Sequence, residues 1–282
     1  MSGGKNNFAS VMSSFKNKNV LITGGASGIG KIMARRSLEK GAACVVIWDI
    51  SQEAMEATKA QLQGLGRVEI FKVNVCSEKE IAASYEEVKK TVGQVDILIN
   101  NAGVVRGNNF FHGNSMQDLD LTMDVNATAP MKVALAIMPD MVRRDSGHIC
   151  NIASAAGMLG VPKLSVYCAS KWAVVGWSES MRIERKMCSS KVKVSCVAPY
   201  FINTGMFDGV RSKVFPILEP EKAARGILRA VEKDKFFCGL PFGFHFIRFW
   251  QAVLPRFIFD PLFGKLFGIY EVMDHFTGRK KA

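Results

Sequence analysis

The sequence predicts an α/β protein: a single-domain, doubly wound parallel sheet of the Rossmann type, with an aromatic-rich C-terminal extension. Three observations predict it. Short runs rich in Val, Ile and Leu alternate with stretches of helical period and length. The first such run passes directly into a glycine-rich turn and then a helical pattern, the order of a phosphate-binding unit. The chain has 282 residues, 48% of them hydrophobic, enough for one domain to bury a core without disulfide or metal staples.

The elements follow in order. Residues 1–17 are polar, with Gly, Asn and Ser, and read as a loose arm before a catalytic unit spanning 18–235. Residues 19–23 are a short buried strand. Gly24 to Gly30 then form a turn with the spacing G-x-x-x-G-x-G, and a helix covers 28–40. Backbone N–H groups at such a helix start face outward, and the helix dipole favours an anion there. A second strand over 43–48 runs into Asp49. A carboxylate at that strand end accepts both hydroxyls of an adenosine ribose and repels a 2′-phosphate. Neither Ser27 nor Ile50 and Ser51 offers a cation for such a phosphate, so NAD is expected over NADP. The alternative role for Asp49 is a cap for the helix over 51–63. A third strand covers 69–73 and ends at Asn74, which either faces the adenine amino group or caps the helix over 77–92. A fourth strand, 95–99, closes on Asn100, Asn101, Ala102 and Gly103, small residues that let a flat ring approach the backbone. Asp96 is expected to be a structural hydrogen-bonding group. Helices over 116–143, 165–188 and 219–233 complete the alternation, with a strand at 191–197.

Tyr167 and Lys171 lie four residues apart in Y-C-A-S-K, on one face of a helix, and Ser154 lies thirteen residues upstream. An ammonium beside a phenol favours the phenolate, so the tyrosine could trade protons near neutral pH. A serine hydroxyl from a strand end could hold a substrate oxygen against that phenol.

The stretch T-G-G-A-S-G-I-G at 23–30, N-N-A-G at 100–103, Asn126, Ser154, Tyr167, Lys171 and Pro199…Thr204 occur in one order that resembles the short-chain dehydrogenase/reductase family from about residue 18 to 235. V-I-W-D-I at 46–50, G-H-I-C-N-I-A-S-A-A-G at 147–157 and Y-C-A-S-K-W-A-V-V-G at 167–176 look like its multisubstrate branch of retinol and 17β-hydroxysteroid dehydrogenases. The resemblance implies that Tyr167 is the acid/base, Ser154 orients the reacting oxygen, Lys171 binds the nicotinamide ribose and lowers the tyrosine pKa, and Asn126 holds a relay water. It implies cofactor contacts from Thr23, Gly24, Ser27, Gly28, Ile29, Gly30, Asp49, Asn74, Val75, Asn101, Ala102, Gly103, Pro199, Ile202 and Thr204 as well. Two positions depart from the family pattern. Tyr200 replaces the glycine that usually follows the proline, and Asn74 replaces an aspartate.

The expected activity is NAD-dependent interconversion of an alcohol and a carbonyl on a hydrophobic molecule such as a steroid or retinoid, with Met158, Leu159, Val161, Phe201, Met206 and Phe207 lining its pocket. Reduction of a thioester- or carrier-bound 3-oxoacyl group is a second reading, and a non-catalytic cofactor-binding protein a third. The net charge is +12, with Arg182, Arg185, Lys186, Lys191 and Lys193 clustered towards and beyond the end of the tyrosine helix and Arg279, Lys280 and Lys281 closing the chain. A nucleic-acid partner is not expected, since no module accompanies the charge. A solvated surface, an anionic membrane or an anionic substrate tail are the readings kept. Seven cysteines without a C-x-x-C motif fit reduced thiols, and no metal site is expected. The N-terminus has no apolar signal core, so the expected location is cytoplasmic, at most peripheral to a membrane, and not secreted. A homodimer or homotetramer follows by family analogy. Residues 236–282 hold nearly half of the chain's aromatics, yet Pro241, His245, Arg248, Gln251, Pro255 and Arg256 interrupt the run too often for a transmembrane span. Core or interface, a lid over an apolar substrate, and a membrane-facing lip remain as readings.

Overall fold

The structure is a computed structural model that describes residues 13–213 and 215–278. Seven parallel strands form one sheet among these residues, in the order β3-β2-β1-β4-β5-β6-β7. They are β1 (Asn19–Thr23), β2 (Cys44–Asp49), β3 (Arg67–Lys72), β4 (Ile97–Asn100), β5 (His148–Ile152), β6 (Lys193–Pro199) and β7 (Phe237–Leu240). The central ones read as unbroken apolar runs because both faces are covered: Val20, Leu21 and Ile22 are fully buried, as are Val45, Val46 and Ile47. Between β1 and β4 the chain reverses the direction in which strands are added, and a crevice opens there at the carboxyl ends of the strands.

Helices α1 (Gly28–Glu39) and α7 (Pro220–Glu232) cover one face; α3 (Glu78–Thr91), α5 (Ala129–Arg143) and α6 (Ser165–Met187) cover the other. α2 (Gln52–Leu62) packs beside β2 and β3. Its N-cap is Ser51, whose hydroxyl accepts the Ala54 N–H, and that of α3 is Ser77, which accepts from Glu80. Neither Asp49 nor Asn74 therefore caps a helix.

Four expectations are corrected. The helix expected over 116–143 is interrupted: α4 (Met116–Met123) passes through a π-turn at Asp124–Thr128 before α5 begins. Pro130 stands four residues after Asn126 and has no N–H to give its carbonyl, so the regular ladder cannot continue there. Residues 13–17, expected to belong to the loose arm, are anchored to the domain. Phe15 is 1% exposed inside the core under α1, and Ser13 donates to Asp234. Residues 1–12, and Arg279, Lys280 and Lys281, lie outside the described residues. The sheet also runs past residue 235, because β7 pairs with β6 from Cys196↔Phe237 to Pro199↔Leu240. Finally, the fourth strand starts at Ile97, with Asp96 fixed just before it by the Asn19 N–H.

After β7 the chain folds through a short turn at Phe242–Phe246, α8 (Ile247–Val253), α9 (Arg256–Asp260) and a π-turn at Pro261–Leu266. Phe244, Ile247, Phe259, Phe263, Ile269 and Val272 are buried against the start of α6 and the loop after β6. Phe242, Phe249, Phe257 and Leu266 face outward and are exposed. No helix among the described residues is long and apolar enough to cross a membrane.

Candidate active site

The crevice at the strand ends is a cleft lined by the glycine turn, the ends of β4, β5 and β6 and the start of α6. Its outer half is the glycine turn. Gly24 and Gly28 have positive φ, which the tight turn requires. Gly30 has a different reason. A Cβ there would stand 2.1 Å from the Gly24 carbonyl oxygen, so α1 can close on the turn only without a side chain. Thr204 faces Gly28 across the opening: a Cβ on Gly28 would lie 3.7 Å from the Thr204 Cβ.

Ser27, Gly28, Ile29, Gly30, Asn101, Gly103, Pro199, Ile202 and Thr204 line this cleft, together with Tyr167 and Lys171. Of the other residues expected at the cofactor, Thr23 and Asp49 brace the glycine turn and the end of β4. Thr23 Oγ1 accepts the N–H groups of Asn101 and Ala102, tying the end of β1 to the end of β4. The Asn101 amide donates to the Thr23 and Gly24 carbonyls at 3.0 and 3.1 Å. Asp49 accepts the N–H of Ala26 at 3.1 Å and of Ile50 at 2.8 Å, which puts its carboxylate against the glycine turn. Asn74 is exposed and closes a local turn onto the Cys76 N–H, while Val75 is buried. A dinucleotide fits this arrangement: a glycine cradle with space for phosphates, and an acceptor carboxylate at the end of the neighbouring strand.

Tyr167 and Lys171 project from the first two turns of α6 and are both buried, at 6% and 5% exposure. The lysine Nζ is 5.7 Å from the tyrosine ring centroid and donates to the Ile152 carbonyl at 3.0 Å. Ser154, at the end of β5, accepts the Ala156 N–H at 3.2 Å and lies in the same cleft. Burial acts against the expected activation of the phenol by the lysine. Burial pushes the Tyr167 phenol above its ordinary value, and only the Ser154 hydrogen bond acts in the opposite direction. Burial also pulls Lys171 down to about 8, which weakens the cation expected to favour the phenolate.

Asn126 is fully buried, and its amide is taken up by the loop after β4: Oδ1 accepts the Val104 N–H and Nδ2 donates to the Val104 carbonyl, both at 2.8 Å. Nδ2 also reaches the Ser170 hydroxyl, which donates to the Tyr167 carbonyl at 2.7 Å. Asn126 thus links the loop beside the cleft to the helix that carries the tyrosine. A Cβ on Gly103 would come within 3.2 Å of Asn126 Oδ1 and 3.8 Å of Lys171 Nζ, so that glycine lets the two groups share one space.

A narrow apolar chamber adjoins the cleft behind Ser154. Leu159, Val161, Phe201 and Phe207 line it, and Met206 and Phe207 line the cleft itself. Met158 does not reach either. It is fully buried, and its carbonyl accepts the Gln251 amide at 2.8 Å. The turn Ala155–Gly157 breaks strand periodicity, so adjacent residues after it cannot be assigned faces by alternation. Tyr200 stands between cleft and chamber as a wall of both. Its ring stacks on Phe244 at 4.9 Å and meets Phe201 edge-on at 4.7 Å, and its hydroxyl pairs with Ser212 at 3.0 Å. Phe244, Ile269 and Val272 bring the C-terminal segment to the chamber. Those three and Val104 carry no motif that marks them in the sequence, while Ile152 and Ser170 lie inside the quoted motifs without being singled out.

The basic cluster lies at the opposite end of the sheet. Arg182, Arg185 and Lys186 occupy the last turns of α6, where cations complement the helix dipole. Lys191 pairs with Asp145 and Lys193 with Asp234. Among the described residues no group of His, Cys, Asp and Glu is arranged to hold a metal ion.

The sequence matches the short chain dehydrogenase family over residues 18–214. It is 38% identical over 269 residues to epidermal retinol dehydrogenase 2 of Mus musculus, covering 93% of this chain and 86% of that protein. It is 35% identical over 239 residues to estradiol 17-beta-dehydrogenase 11 of Homo sapiens, covering 84% of this chain and 79% of the relative. The crystal structure of a short chain dehydrogenase/reductase from Burkholderia phymatum in complex with NAD has a TM-score of 0.77 and 25% identity, covering 86% of this chain and 95% of that one.

Proposed function

Since the chain belongs to the short-chain dehydrogenase family, in its retinol and hydroxysteroid dehydrogenase branch, we propose that this oxidoreductase interconverts an alcohol and a ketone or aldehyde on a hydrophobic molecule of the steroid or retinoid class, with NAD as cofactor. The observation that carries this is the placement of Ser154, Tyr167 and Lys171 where a glycine cradle meets an apolar chamber. Asp49 at the end of β2 supports NAD over NADP.

Bound NAD supplies the hydride acceptor and a positive charge near the phenol. The chain's own groups handle the oxygen and its proton. Ser154 would hold the substrate hydroxyl, and Tyr167 would take its proton. Lys171, held by the Ile152 carbonyl, favours the phenolate to the extent that it remains charged. Proton supply from solvent runs past Asn126. Its amide is engaged by Val104, so its main-chain carbonyl, four residues before Pro130, is the group free of an ordinary helical donor. The apolar chamber excludes water from the hydride path.

Two further parts of the proposal rest on exposed apolar side chains. Leu135 on α5, with Trp172, Ile183 and Met187 on α6, suit a second copy of the chain packing across these helices. Phe242, Phe249, Trp250 and Phe257, interleaved with Arg248 and Arg256, suit peripheral contact with an anionic membrane. The experiment that tests the activity is NAD-linked turnover of steroid, retinoid and short-chain alcohols by the wild-type protein and Tyr167→Phe. The phenylalanine variant keeps the ring and should bind NADH normally while turnover falls by more than the roughly 10²–10⁴ of a typical acid/base contribution. Substantial residual turnover would remove Tyr167 from this role.

A further inference from the structure

The apolar space does not end at the chamber beside Ser154. Leu159, Val161 and Ile269 form one side of that chamber, and the same three side chains form the inner side of a second, outer pocket. The outer pocket is floored by Phe259 and Phe263 and rimmed by polar groups: Gln251, Ser165, and the pair Arg256–Asp260 at 3.9 Å. Phe257 and Ile258, between rim and floor in sequence, are exposed to solvent. Cleft, chamber and outer pocket therefore form a row, each sharing side chains with the next.

We propose that the outer pocket is a lateral port through which an amphipathic alcohol, apolar in body and polar at one end, reaches the chamber by displacing Leu159, Val161 and Ile269. The proposal rests on the apolar-alcohol assignment above and adds the route to it. Two observations favour this route over the mouth of the cleft. That mouth is framed by the glycine turn and Thr204, the space a dinucleotide fills, so a long substrate needs another opening. The three separating side chains are also suited to yielding. They are aliphatic and make no hydrogen bonds, so a change of rotamer breaks packing contacts only. Gly160 lies between Leu159 and Val161, and Gly268, with φ +74°, precedes Ile269, so glycines give the backbone latitude at both sides of the partition. The rim supplies a cation and hydrogen-bonding groups for a polar end while the body lies on the phenylalanine floor.

Gly160 allows a direct test, because a Cβ there meets no atom within 4 Å. Gly160 lines the outer pocket and not the cleft, so a side chain at this position starts from open space beside the port. Gly160→Trp should lower kcat/KM for a retinoid or steroid alcohol offered in vesicles at least tenfold, while a short secondary alcohol and NADH are handled as by the wild type. Gly160→Ala should resemble the wild type with both. Ser165→Trp, at an exposed rim position, should reproduce the effect and covers the case in which the glycine variant folds poorly. Equal kcat/KM for the apolar alcohol in wild type and both tryptophan variants overturns the port. A wild type that turns over no apolar alcohol overturns the substrate assignment instead. Binding of pyrenyl-decanol, followed by its fluorescence, then decides the port independently: loss of binding in the tryptophan variants supports it, and unchanged binding refutes it.

Discussion

Replacing Tyr200 tests the junction of the reaction cleft with the C-terminal segment. The ring is 8% exposed and packs against Phe244 at 4.9 Å, Phe201 at 4.7 Å and Phe215 at 5.8 Å. Truncating a buried aromatic to alanine costs about 3–5 kcal/mol, the range expected when neighbours cannot collapse into the space. Each aromatic contact adds about 0.5–1.5 kcal/mol beyond area burial, which places Tyr200→Ala towards the upper end of that range. Tyr200→Phe keeps the packing and loses only the hydrogen bond to Ser212, worth about 0.5–1.5 kcal/mol. Urea unfolding followed by far-UV circular dichroism measures both variants. A functional readout accompanies it, because this ring separates cleft from chamber. Tyr200→Ala should raise KM for a steroid or retinoid alcohol several-fold while Tyr200→Phe leaves it near the wild-type value. A loss below about 1 kcal/mol in Tyr200→Ala would refute the packing estimate. An unchanged KM would show that the ring does not bound the substrate.

Asp49→Ala should weaken NADH by about 1.5–3 kcal/mol, or one to two powers of ten, and narrow the preference against NADPH, as read by fluorescence titration. It also leaves the buried Ala26 N–H without its acceptor, so a lower unfolding midpoint should accompany it; a wild type that prefers NADPH would contradict the role of this carboxylate. The buried lysine gives a pH signature. Its value is lowered from 10.5 to about 8, so between these limits the unfolded chain holds a proton that the folded chain has released, and stability should rise with pH across that window. Lys171→Met should flatten the slope in urea unfolding between pH 8 and 10, and an identical slope would assign it to another group. In turnover, alcohol oxidation needs the deprotonated phenol and carbonyl reduction the protonated one, so oxidation should climb and reduction should fall as pH increases.

The features legible in the sequence were those fixed by short-range geometry. The strand, glycine turn and helix from Asn19 to Glu39 can be read locally, and so can Tyr167 and Lys171 at one helical turn's spacing. Other features depend on partners distant in the chain or on main-chain atoms. Lys171 is held by the carbonyl of Ile152, an atom that every residue type carries. Burial opposes the electrostatic effect of the lysine on the phenol, and its size depends on packing from several elements. Phe15 sits in a polar stretch and enters the core because α1 covers it. β7 is four residues long, contains Gly239 and is flanked by aromatics and Pro241, so no alternation marks it. Met158 and Leu159 are adjacent, but only Leu159 reaches the chamber, since the irregular turn before them sets their direction.

β7 makes the aromatic segment a continuation of the sheet. The Leu240 carbonyl accepts the Tyr200 N–H and the Phe236 carbonyl accepts the Cys196 N–H, both at 2.6 Å. The strand that begins the closing segment therefore also holds the backbone of the residue dividing cleft from chamber. For protein grafting this identifies the seam. A chimera cut at residue 235 would make β6 pair with a foreign edge strand, and a mismatch there would leave main-chain groups unpaired. A cut after Leu240 would leave the sheet whole and exchange only what closes over the chamber. The donor segment must still present a surface that Tyr200 can stack upon, as Phe244 does. The loop after β6 and the closing segment thus form a matched pair, and substrate preference should transfer between relatives only when both are moved together.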